Sequence, residues 1–338
     1  MAFETLFSPL RIGSMALPNR IVMSPMTTDY GNLEQEPTER LMAYLEARAR
    51  GGVGLITLEV CSVALDHRYM ANSLSLAEDR FIPLHRELVD RIHRHGAKIQ
   101  PQITHPGPES LAPFFERKPG FGPSVCVNPA GMQSCRPLEL AEIPGVIAQY
   151  AAAAVRAKEA GYDGIELHAA HAYMLLGSFL SPLRNARRDE YGGKTLETRA
   201  RLLLETLEAV RAAVGPQFPI TVSLSGYERF PGGRAINETQ RLAQMLVAAG
   251  ASAFRVSGGT TDSLVTAMVM SSDFPDAINV AQAQAIRQVV DVPVMVVGRI
   301  HTPEHAERIL ADGRADLIGM ARPFLADPEW PNKARAGR

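Results

Sequence analysis

Short apolar runs rich in β-branched residues alternate along the chain with longer segments in which hydrophobic residues recur at helical spacing. Eight such runs occur. They begin at Ile21 (IVMSPM), Val53 (VGLITLE), Ala97 (AKIQPQI), Asp163 (DGIELH), Ile220 (ITVSLS), Ala251 (ASAFRVS), Val292 (VPVMVVG) and Ala315 (ADLIGM). This alternation is typical of strand–helix units on a parallel sheet.

The segments between these runs predict helices. The predicted helices span Glu39–Arg50, Pro83–His95, Pro144–Ala160, Leu196–Val214, Glu238–Ala249, Ala277–Val290 and Pro303–Leu310. Several are followed by a glycine just before the next run, as helix C-terminal caps are, namely Gly51, Gly96, Gly161 and Gly250. Eight such units favour the α/β class and a closed TIM barrel, (β/α)₈. An open doubly wound sheet is the alternative, but the GxGxxG turn usual after its first strand does not occur.

Two segments depart from the repeating unit. Leu10–Leu17, which contains Gly13, predicts a hairpin that closes the floor of the barrel. The third connection runs from His105 to Leu140, is rich in Gly, Pro and Ser, and has no helical pattern. Because long loops inside a compact domain usually carry function, we expect a lid or binding element that shapes the substrate pocket.

Length and charge narrow the class of protein. The 338 residues suit one TIM-barrel domain over 1–338, and 46% hydrophobic with 21% charged residues is ordinary for a globular protein. A formal net charge of −1 favours neither nucleic acid nor an anionic membrane as a partner. Since no apolar stretch could span a bilayer and the N-terminus lacks a signal-peptide pattern, we expect a cytoplasmic protein.

Cysteine usage supports the same compartment. Cys61, Cys126 and Cys135 are odd in number, widely scattered and never spaced as CxxC. We therefore expect reduced thiols, with neither a disulfide framework nor a cysteine metal site.

The end of the fourth run carries the densest group of reactive side chains. It reads GIELHAAHAYMLLGSFLSP and contains His168, His171 and Tyr173. Functional residues of TIM barrels collect where the strands end. There two neutral imidazoles can converge on a carbonyl oxygen and stabilise negative charge, while the phenol can give a proton. Half of a metal site and a structural histidine pair remain as alternatives, although no third metal-ligand cluster stands out.

Two further strand ends indicate a phosphate site. Strand seven runs into Gly298 and Arg299, and strand eight into Ala321 and Arg322. The loops after these two strands commonly bind phosphate in TIM barrels, through backbone N–H groups and guanidinium groups. The sequence therefore predicts a phosphorylated ligand, with solvated surface arginines as the alternative.

Four stretches of the sequence resemble one enzyme superfamily. They are LFSPLRIGSMALPNRIVMSPM, QITHPGPES, DGIELHAAHAYMLLGSFLSPLRNARRDEYGG and VGRIHTPEHAERILADGRADLIGMARPFLADPEWPNKA. The chain thereby resembles the old yellow enzyme / NADH:flavin oxidoreductase superfamily, most closely the branch with 2,4-dienoyl-CoA reductase and trimethylamine dehydrogenase. This resemblance covers nearly the whole chain. It implies an FMN-binding barrel that receives hydride from NAD(P)H.

The resemblance also implies roles for individual residues. His168 and His171 would hold the substrate carbonyl. The implied reaction reduces the C=C bond of an α,β-unsaturated carbonyl compound: hydride adds to the β carbon and Tyr173 protonates the α carbon. The residues implied to contact FMN are Pro25, Met26 and Thr27 along the isoalloxazine, Gln102 at its pyrimidine edge, and Gly298, Arg299, Ala321 and Arg322 at the phosphate.

One departure from the superfamily concerns charge beside the flavin. Strand five of the relatives reads VRLSG, with an arginine beside flavin N1 and O2, whereas here residues 222–226 read VSLSG and place Ser223 at the arginine position. Arg255 on strand six shares the inward parity of Ser257. We therefore assign Arg255 and Ser257 to the cofactor site and hypothesise that Arg255 supplies the missing charge.

Two more departures concern the loop after strand six and the C-terminus. Residues 258–263 read GGTTDS, without the histidine that partners the tyrosine in the dienoyl-CoA branch, which argues against dienoyl-CoA specificity. The four-cysteine iron–sulfur segment and nucleotide-binding domain of multidomain relatives do not follow PNKARAGR. A stand-alone barrel and the barrel part of a larger electron-transfer enzyme are the alternatives.

Other functions stay open from the sequence. The flavin could instead accept hydride from a C–N or C–H bond, as in relatives of trimethylamine dehydrogenase, although N-demethylases normally depart from the two-histidine pair. A redox-inactive flavin-binding module is the third alternative. The expected partner is a small unsaturated carbonyl compound. Acceptance of a CoA thioester, the choice between NADH and NADPH, a homo-oligomer and an electron-transfer subunit are left open.

Overall fold

The eight apolar runs form the strands of a closed parallel barrel. The structure, a computed structural model, describes residues 3–127, 134–261 and 270–338. Within these residues each barrel strand pairs with the next in chain order, and the eighth returns to the first. The strands are β1 (Ile21–Met23), β2 (Leu55–Ser62), β3 (Lys98–Thr104), β4 (Ile165–Ala169), β5 (Ile220–Ser225), β6 (Ala253–Ser257), β7 (Val294–Val297) and β8 (Leu317–Met320). The expected TIM barrel is confirmed.

Helices cover the outside of the barrel and keep close to their predicted bounds. The helices Glu39–Arg50 and Leu196–Val214 have the predicted ends. Thr38 and Thr195 cap their N-termini by accepting a first-turn backbone N–H. The other long helices are Ile82–His93, Ile143–Glu159, Ile236–Ala248, Val280–Arg287 and Pro303–Ala311. Shorter helices span Ala112–Phe115, Met174–Leu180, Arg322–Ala326 and Trp330–Arg335. Among the described residues no helix is long and apolar enough to cross a bilayer.

The predicted N-terminal hairpin closes the barrel floor. Strands Leu10–Ile12 and Met15–Leu17 pair antiparallel, and Gly13 between them has a φ of +54° that favours glycine. The inward side chains of this hairpin form one apolar cluster with the lower barrel interior, comprising Ile12, Met15, Leu17, Val22, Leu55, Ala253, Met295 and Leu317.

Polar side chains fill the barrel above this apolar floor. Gln100 on β3 donates to Thr57 Oγ1 (3.1 Å) and accepts from Thr221 Oγ1 (3.2 Å). One layer higher, Gln102 donates to Glu166 Oε1 at 2.6 Å. Because inward residues alternate along each strand, this second layer lies directly beneath the C-terminal rim.

The connection after β3 contains a small three-stranded sheet, which we call the lid sheet after the role predicted for this connection. Its strands are Phe121–Gly122, Cys126–Val127 and Ser134–Pro137, while residues 128–133 of the same connection lie outside the described residues. None of the described residues of this connection lines the rim cavity presented below, so the lid or binding element stays a prediction.

A disulfide between Cys126 and Cys135 corrects the expectation of reduced thiols. The two cysteines are directly opposite each other in the antiparallel pairing of the lid sheet, with Cα atoms 5.4 Å apart. This separation suits a disulfide, and the sequence spacing alone did not reveal the register that creates it. Cys61, buried on β2, is a free thiol as expected.

Candidate active site

A cavity of about 410 Å³ lies at the C-terminal rim of the barrel. Its volume is within the usual range for small-molecule and cofactor sites. The sequence-predicted residues that line it are Pro25, Met26, His171, Arg255, Ser257, Gly298, Arg299, Ala321 and Arg322. The cavity therefore joins the predicted phosphate loops to the end of β4.

Four predicted residues lie around the cavity rather than in its lining. Thr27 is exposed next to Met26, and Gln102 is buried in the polar layer below. His168 and Tyr173 pack against each other, and both rings are near that of His171.

The aromatic rings of β4 and the following turn form one cluster. The rings of His168 and Tyr173 are perpendicular, with centroids 4.9 Å apart, and the His171 centroid is 6.1 Å from Tyr173 and 6.4 Å from His168. Tyr69, from the loop after β2, places its ring 6.3 Å from Tyr173. Two imidazoles and two phenols therefore form one ring cluster, of which His171 lines the cavity.

The chain reaches this arrangement through an unusual turn. His171, Ala172 and Met174 have φ values of 63°, 54° and 55°, in the left-handed region that non-glycine residues rarely adopt. Such a backbone persists only when its surroundings hold it, and it is common at functional sites. One stabilising contact comes from Ser225 on β5, whose Oγ accepts a hydrogen bond from the His171 N–H at 2.8 Å.

Burial sets the protonation states of the cluster. It lowers the pKa of His168 well below its usual value and the pKa of His171 to about 3, and the positive charge of Arg255 acts in the same direction. Burial, with smaller contributions from Tyr69 and Glu109, raises the pKa of Tyr173. At neutral pH both imidazoles are therefore uncharged and the phenol keeps its proton.

The two imidazoles have different hydrogen-bond partners. His171 places Nε2 3.1 Å from Ser257 Oγ and Nδ1 3.4 Å from the Gly259 carbonyl. Since a carbonyl only accepts, this contact assigns the proton to Nδ1. His168 Nδ1, by contrast, is buried without a partner among the described residues.

A buried ion pair lies beside the ring cluster. Arg255 Nε and Nη2 donate to the two carboxylate oxygens of Glu166 at 2.8 and 2.9 Å. Gln102 completes the group through its bond to Glu166. Arg255 thus presents a fixed positive charge to the cavity, partly balanced by Glu166 below.

The opposite end of the cavity carries the phosphate candidates. Arg299 has a left-handed φ of 53° and binds Asp276 Oδ1 and the Ser271 carbonyl, both at 2.8 Å. Arg322 is exposed at the start of the helix Arg322–Ala326. Asn279 donates to the Val297 carbonyl at 2.8 Å and so fixes the end of β7.

Unpartnered polar atoms test whether FMN suits this cavity. Four buried atoms without a hydrogen-bond partner among the described residues belong to the barrel rim: Ser24 Oγ, His168 Nδ1, Ser223 Oγ and Arg299 Nε. Buried polar groups are normally satisfied, so they indicate a polar ligand. Cationic groups at one end and a polar, charged layer at the other fit a phosphate joined to a polar ring system.

Sequence reasoning missed several residues of the site. Glu166 had a signal, because it precedes His168 by two positions on one strand and must share its inward face. Tyr69, Glu109 and Asn279 come from connections whose path the sequence pattern does not reveal.

Among the described residues, no group of three or more His, Cys, Asp or Glu side chains could hold a metal ion. The loop residues Asp262 and Ser263 lie outside the described residues.

Curated relatives match the chain over most of its length. It is 42% identical to an NADH oxidase of Thermoanaerobacter brockii over 341 residues, covering 99% of this chain and 51% of that protein. It is 36% identical to an NADPH dehydrogenase of Geobacillus sp. (strain WCH70), covering 97% and 93%. The chain spans about half the length of the first of these relatives and nearly all of the second.

Solved structures give the same result. A 2-naphthoyl-CoA reductase in complex with 2-naphthoyl-CoA has a TM-score of 0.94 at 27% identity, covering 99% of this chain and 53% of that one. An old yellow enzyme homologue from Zymomonas mobilis has a TM-score of 0.84 at 27% identity, covering 98% and 93%. The family model of NADH:flavin oxidoreductase / NADH oxidase matches residues 5–338. The chain therefore belongs to the NADH:flavin oxidoreductase / NADH oxidase family, the FMN- and NAD(P)H-using oxidoreductases that its sequence predicts.

Proposed function

We propose that the protein reduces the C=C bond of α,β-unsaturated carbonyl compounds at the expense of NAD(P)H; bound FMN would supply the hydride chemistry. One observation carries this proposal: uncharged His168, whose Nδ1 has no hydrogen-bond partner among the described residues, packs against the protonated phenol of Tyr173 beside the cofactor-sized cavity. A donor for an oxyanion and a proton source therefore stand side by side.

The residues that would hold FMN lie at the two ends of the cavity. Arg299 and Arg322, with the backbone N–H groups of Gly298 and Ala321, would bind the phosphate. Pro25, Met26 and Thr27 would line the isoalloxazine. At its pyrimidine edge we place Gln102, Arg255 and Ser257.

Arg255 would supply positive charge at that edge. Its register partner on β5 is Ser223, a small residue that leaves room for the guanidinium to extend towards β4. Glu166 engages Nε and Nη2 but not Nη1, so a donor remains for a ligand. A cation here stabilises an anionic reduced ring system.

The substrate carbonyl would bind at the imidazoles. His168 would donate to the oxygen, where negative charge develops as hydride adds to the β carbon. His171 would orient the carbonyl. It would become a second donor, from Nε2, only if its proton left Nδ1, the nitrogen that faces the Gly259 carbonyl. Each preorganised donor of this kind is typically worth about 10²- to 10³-fold in rate. Tyr173 would then give its phenolic proton to the α carbon, which completes addition of H₂ across the double bond.

An oxidative reaction is the second candidate. A further relative, from Chromohalobacter salexigens, is an N,N-dimethylglycine/sarcosine dehydrogenase, 37% identical over 97% of this chain and 48% of that protein. In such a reaction the substrate would lose hydride from a carbon that is bonded to nitrogen. We favour reduction because uncharged imidazole donors suit a carbonyl oxygen. For the substrate, a CoA thioester is one candidate form of the unsaturated carbonyl compound, and an electron-transfer subunit is a candidate partner.

The reductive and the oxidative reaction can be distinguished with one preparation of holoprotein under anaerobic conditions. We expect NADH or NADPH to bleach the flavin absorbance and 2-cyclohexenone or an enoyl-CoA thioester to restore it, with one equivalent of saturated product. Bleaching by dimethylglycine or sarcosine, with no reoxidation by any alkene, would replace the proposal by the oxidative reaction. Full flavin occupancy without any bleaching would indicate a redox-inactive module.

A further inference from the structure

The position of Tyr173 depends on a turn that is intrinsically unfavourable. Three of its four residues, His171, Ala172 and Met174, are left-handed, and none is glycine. Since L-residues are disfavoured in this region, contacts from neighbouring elements must hold the turn. Tyr173 itself is extended, with φ −132° and ψ 174°, between the left-handed Ala172 and Met174.

Two different parts of the fold hold the two ends of this turn. At the first end, Ser225 on β5 accepts the His171 N–H, and Thr261 donates to the His171 carbonyl at 2.9 Å. At the second end, Glu109 Oε2 accepts the Met174 N–H at 2.7 Å. Because Met174 is fully buried, its N–H is shielded from water while Glu109 is in place.

Glu109 is itself rigidly placed. It ends the short 3₁₀ turn Gly107–Glu109 after β3, its side chain is 8% exposed, and Arg184 Nη1 lies 3.6 Å from its Oε1. Its turn packs tightly on the chain after Tyr173, since a Cβ at Gly107 would come within 2.9 Å of the Leu175 backbone. The Leu175 N–H also donates to the His105 carbonyl at 3.0 Å.

We propose that Glu109 is the positioning residue of Tyr173: through the Met174 N–H, its carboxylate fixes the left-handed turn that presents the phenol to the substrate. The inference rests on the proposed function, in which Tyr173 delivers the proton. The charge of Glu109 has a second effect. It adds to burial in raising the pKa values of Tyr173 and Tyr69.

The test uses Glu109→Ala, Glu109→Asp and Glu109→Gln holoprotein and two kinds of measurement. The first is hydrogen–deuterium exchange at the Met174 amide. The second compares the two half-reactions, reduction of the flavin by NAD(P)H and its reoxidation by 2-cyclohexenone. In Glu109→Ala we expect Met174 exchange at least about 10-fold faster, because a buried hydrogen bond to a charged acceptor is lost. Reoxidation slows about 10- to 100-fold, because the acid is misplaced, while reduction is nearly unchanged.

The conservative variants distinguish positioning from a general loss of structure. Glu109→Gln keeps an oxygen that accepts the Met174 N–H, so exchange protection and most of the reoxidation rate return. Glu109→Asp, one methylene shorter, gives intermediate exchange. Glu116→Ala is the matched control: it lies in the same connection, 3.9 Å from Arg68 and partly exposed, and leaves both measurements unchanged.

Two results would overturn the inference. One is Met174 exchange in Glu109→Ala that equals the unsubstituted protein. The other is an equal loss in both half-reactions with flavin occupancy retained. If no alkene reoxidises the unsubstituted protein, the proposed function fails, while Met174 exchange still decides whether Glu109 holds the turn.

Discussion

Arg255 on β6 and Glu166 on β4 form a two-bond ion pair that crosses β5 inside the barrel. Both side chains are almost completely buried, at 7% and 0% exposure. A buried charge is costly unless it is paired, so each residue fixes the other. Substitution of either partner therefore changes the charge next to the cavity in a known direction.

The first prediction concerns the flavin reduction potential. Arg255→Ala removes a cation that favours an anionic reduced flavin, so the midpoint potential falls. Glu166→Gln leaves the arginine uncompensated, so the potential rises. A tenfold change in the stability of the reduced state corresponds to about 30 mV for a two-electron couple, and we expect shifts of at least this size. Anaerobic dye-equilibration measures both.

The opposite signs provide the control for this prediction. A general loosening of the barrel would move both variants in the same direction. Arg308→Ala, which removes an exposed arginine from the outer helix Pro303–Ala311 and leaves the ion pair intact, keeps the potential of the unsubstituted protein. An unchanged potential in Arg255→Ala would mean that Arg255 does not act on the flavin.

The second prediction concerns the phosphate end. Arg322→Ala weakens FMN binding by about 10- to 100-fold, because a charge-assisted contact is lost. Riboflavin, which has no phosphate, binds both proteins equally. Fluorescence titration of the apoprotein measures the four dissociation constants, with Arg308→Ala on the helix Pro303–Ala311 as an exposed arginine control. Equal weakening for both ligands would place the phosphate elsewhere.

Strand and helix placement could be predicted from sequence because local signals coincide. Thr38 and Gly51 bracket one helix, and Thr195 caps another, so pattern and capping agree. The candidate residues His168, His171 and Tyr173 could be predicted from sequence because they are close together in the chain, on β4 and in the turn that follows it. The Arg255–Glu166 pair and the Glu109–Met174 contact could not be predicted as contacts, because they join segments whose relative positions only the closed barrel defines.

The third prediction concerns pH and Glu59, a residue of β2 that no sequence argument singled out. Burial raises the pKa of Glu59 to about 7. The hydrogen bond that the Thr28 N–H donates to the Glu59 carboxylate acts in the opposite direction and lowers this pKa. Between its ordinary value of 4.5 and about 7, the folded protein keeps this proton while the unfolded chain loses it. The unfolded state then binds fewer protons, so this group lowers the free energy of unfolding as pH rises through that window.

Substitution of Glu59 by glutamine removes this pH dependence and keeps an oxygen for the Thr28 N–H. At pH 8 we expect Glu59→Gln to be more stable by on the order of 1–3 kcal/mol, with the difference shrinking towards pH 5. Denaturant unfolding at several pH values measures it. A difference that grows as pH falls would contradict the assigned sign.

The fourth prediction concerns the lid-sheet disulfide. In denaturant without reductant, a thiol reagent detects one cysteine, Cys61, and after reduction it detects all three. Because the bridge closes a loop of about ten residues, its reduction lowers the free energy of unfolding by roughly 2–3 kcal/mol. The Cys126→Ser/Cys135→Ser variant reproduces this loss and does not respond to reductant. Three reactive thiols before reduction would show that the bridge does not form in solution.

The most direct test of the central claim is rapid mixing of the reduced His168→Ala holoprotein with 2-cyclohexenone. If the His168 imidazole stabilises the developing oxyanion, reoxidation is about 10²- to 10³-fold slower than in the unsubstituted protein, while flavin reduction by NAD(P)H stays within a few fold. Reoxidation at the unsubstituted rate, or an equal loss in both half-reactions at full FMN occupancy, would contradict the account.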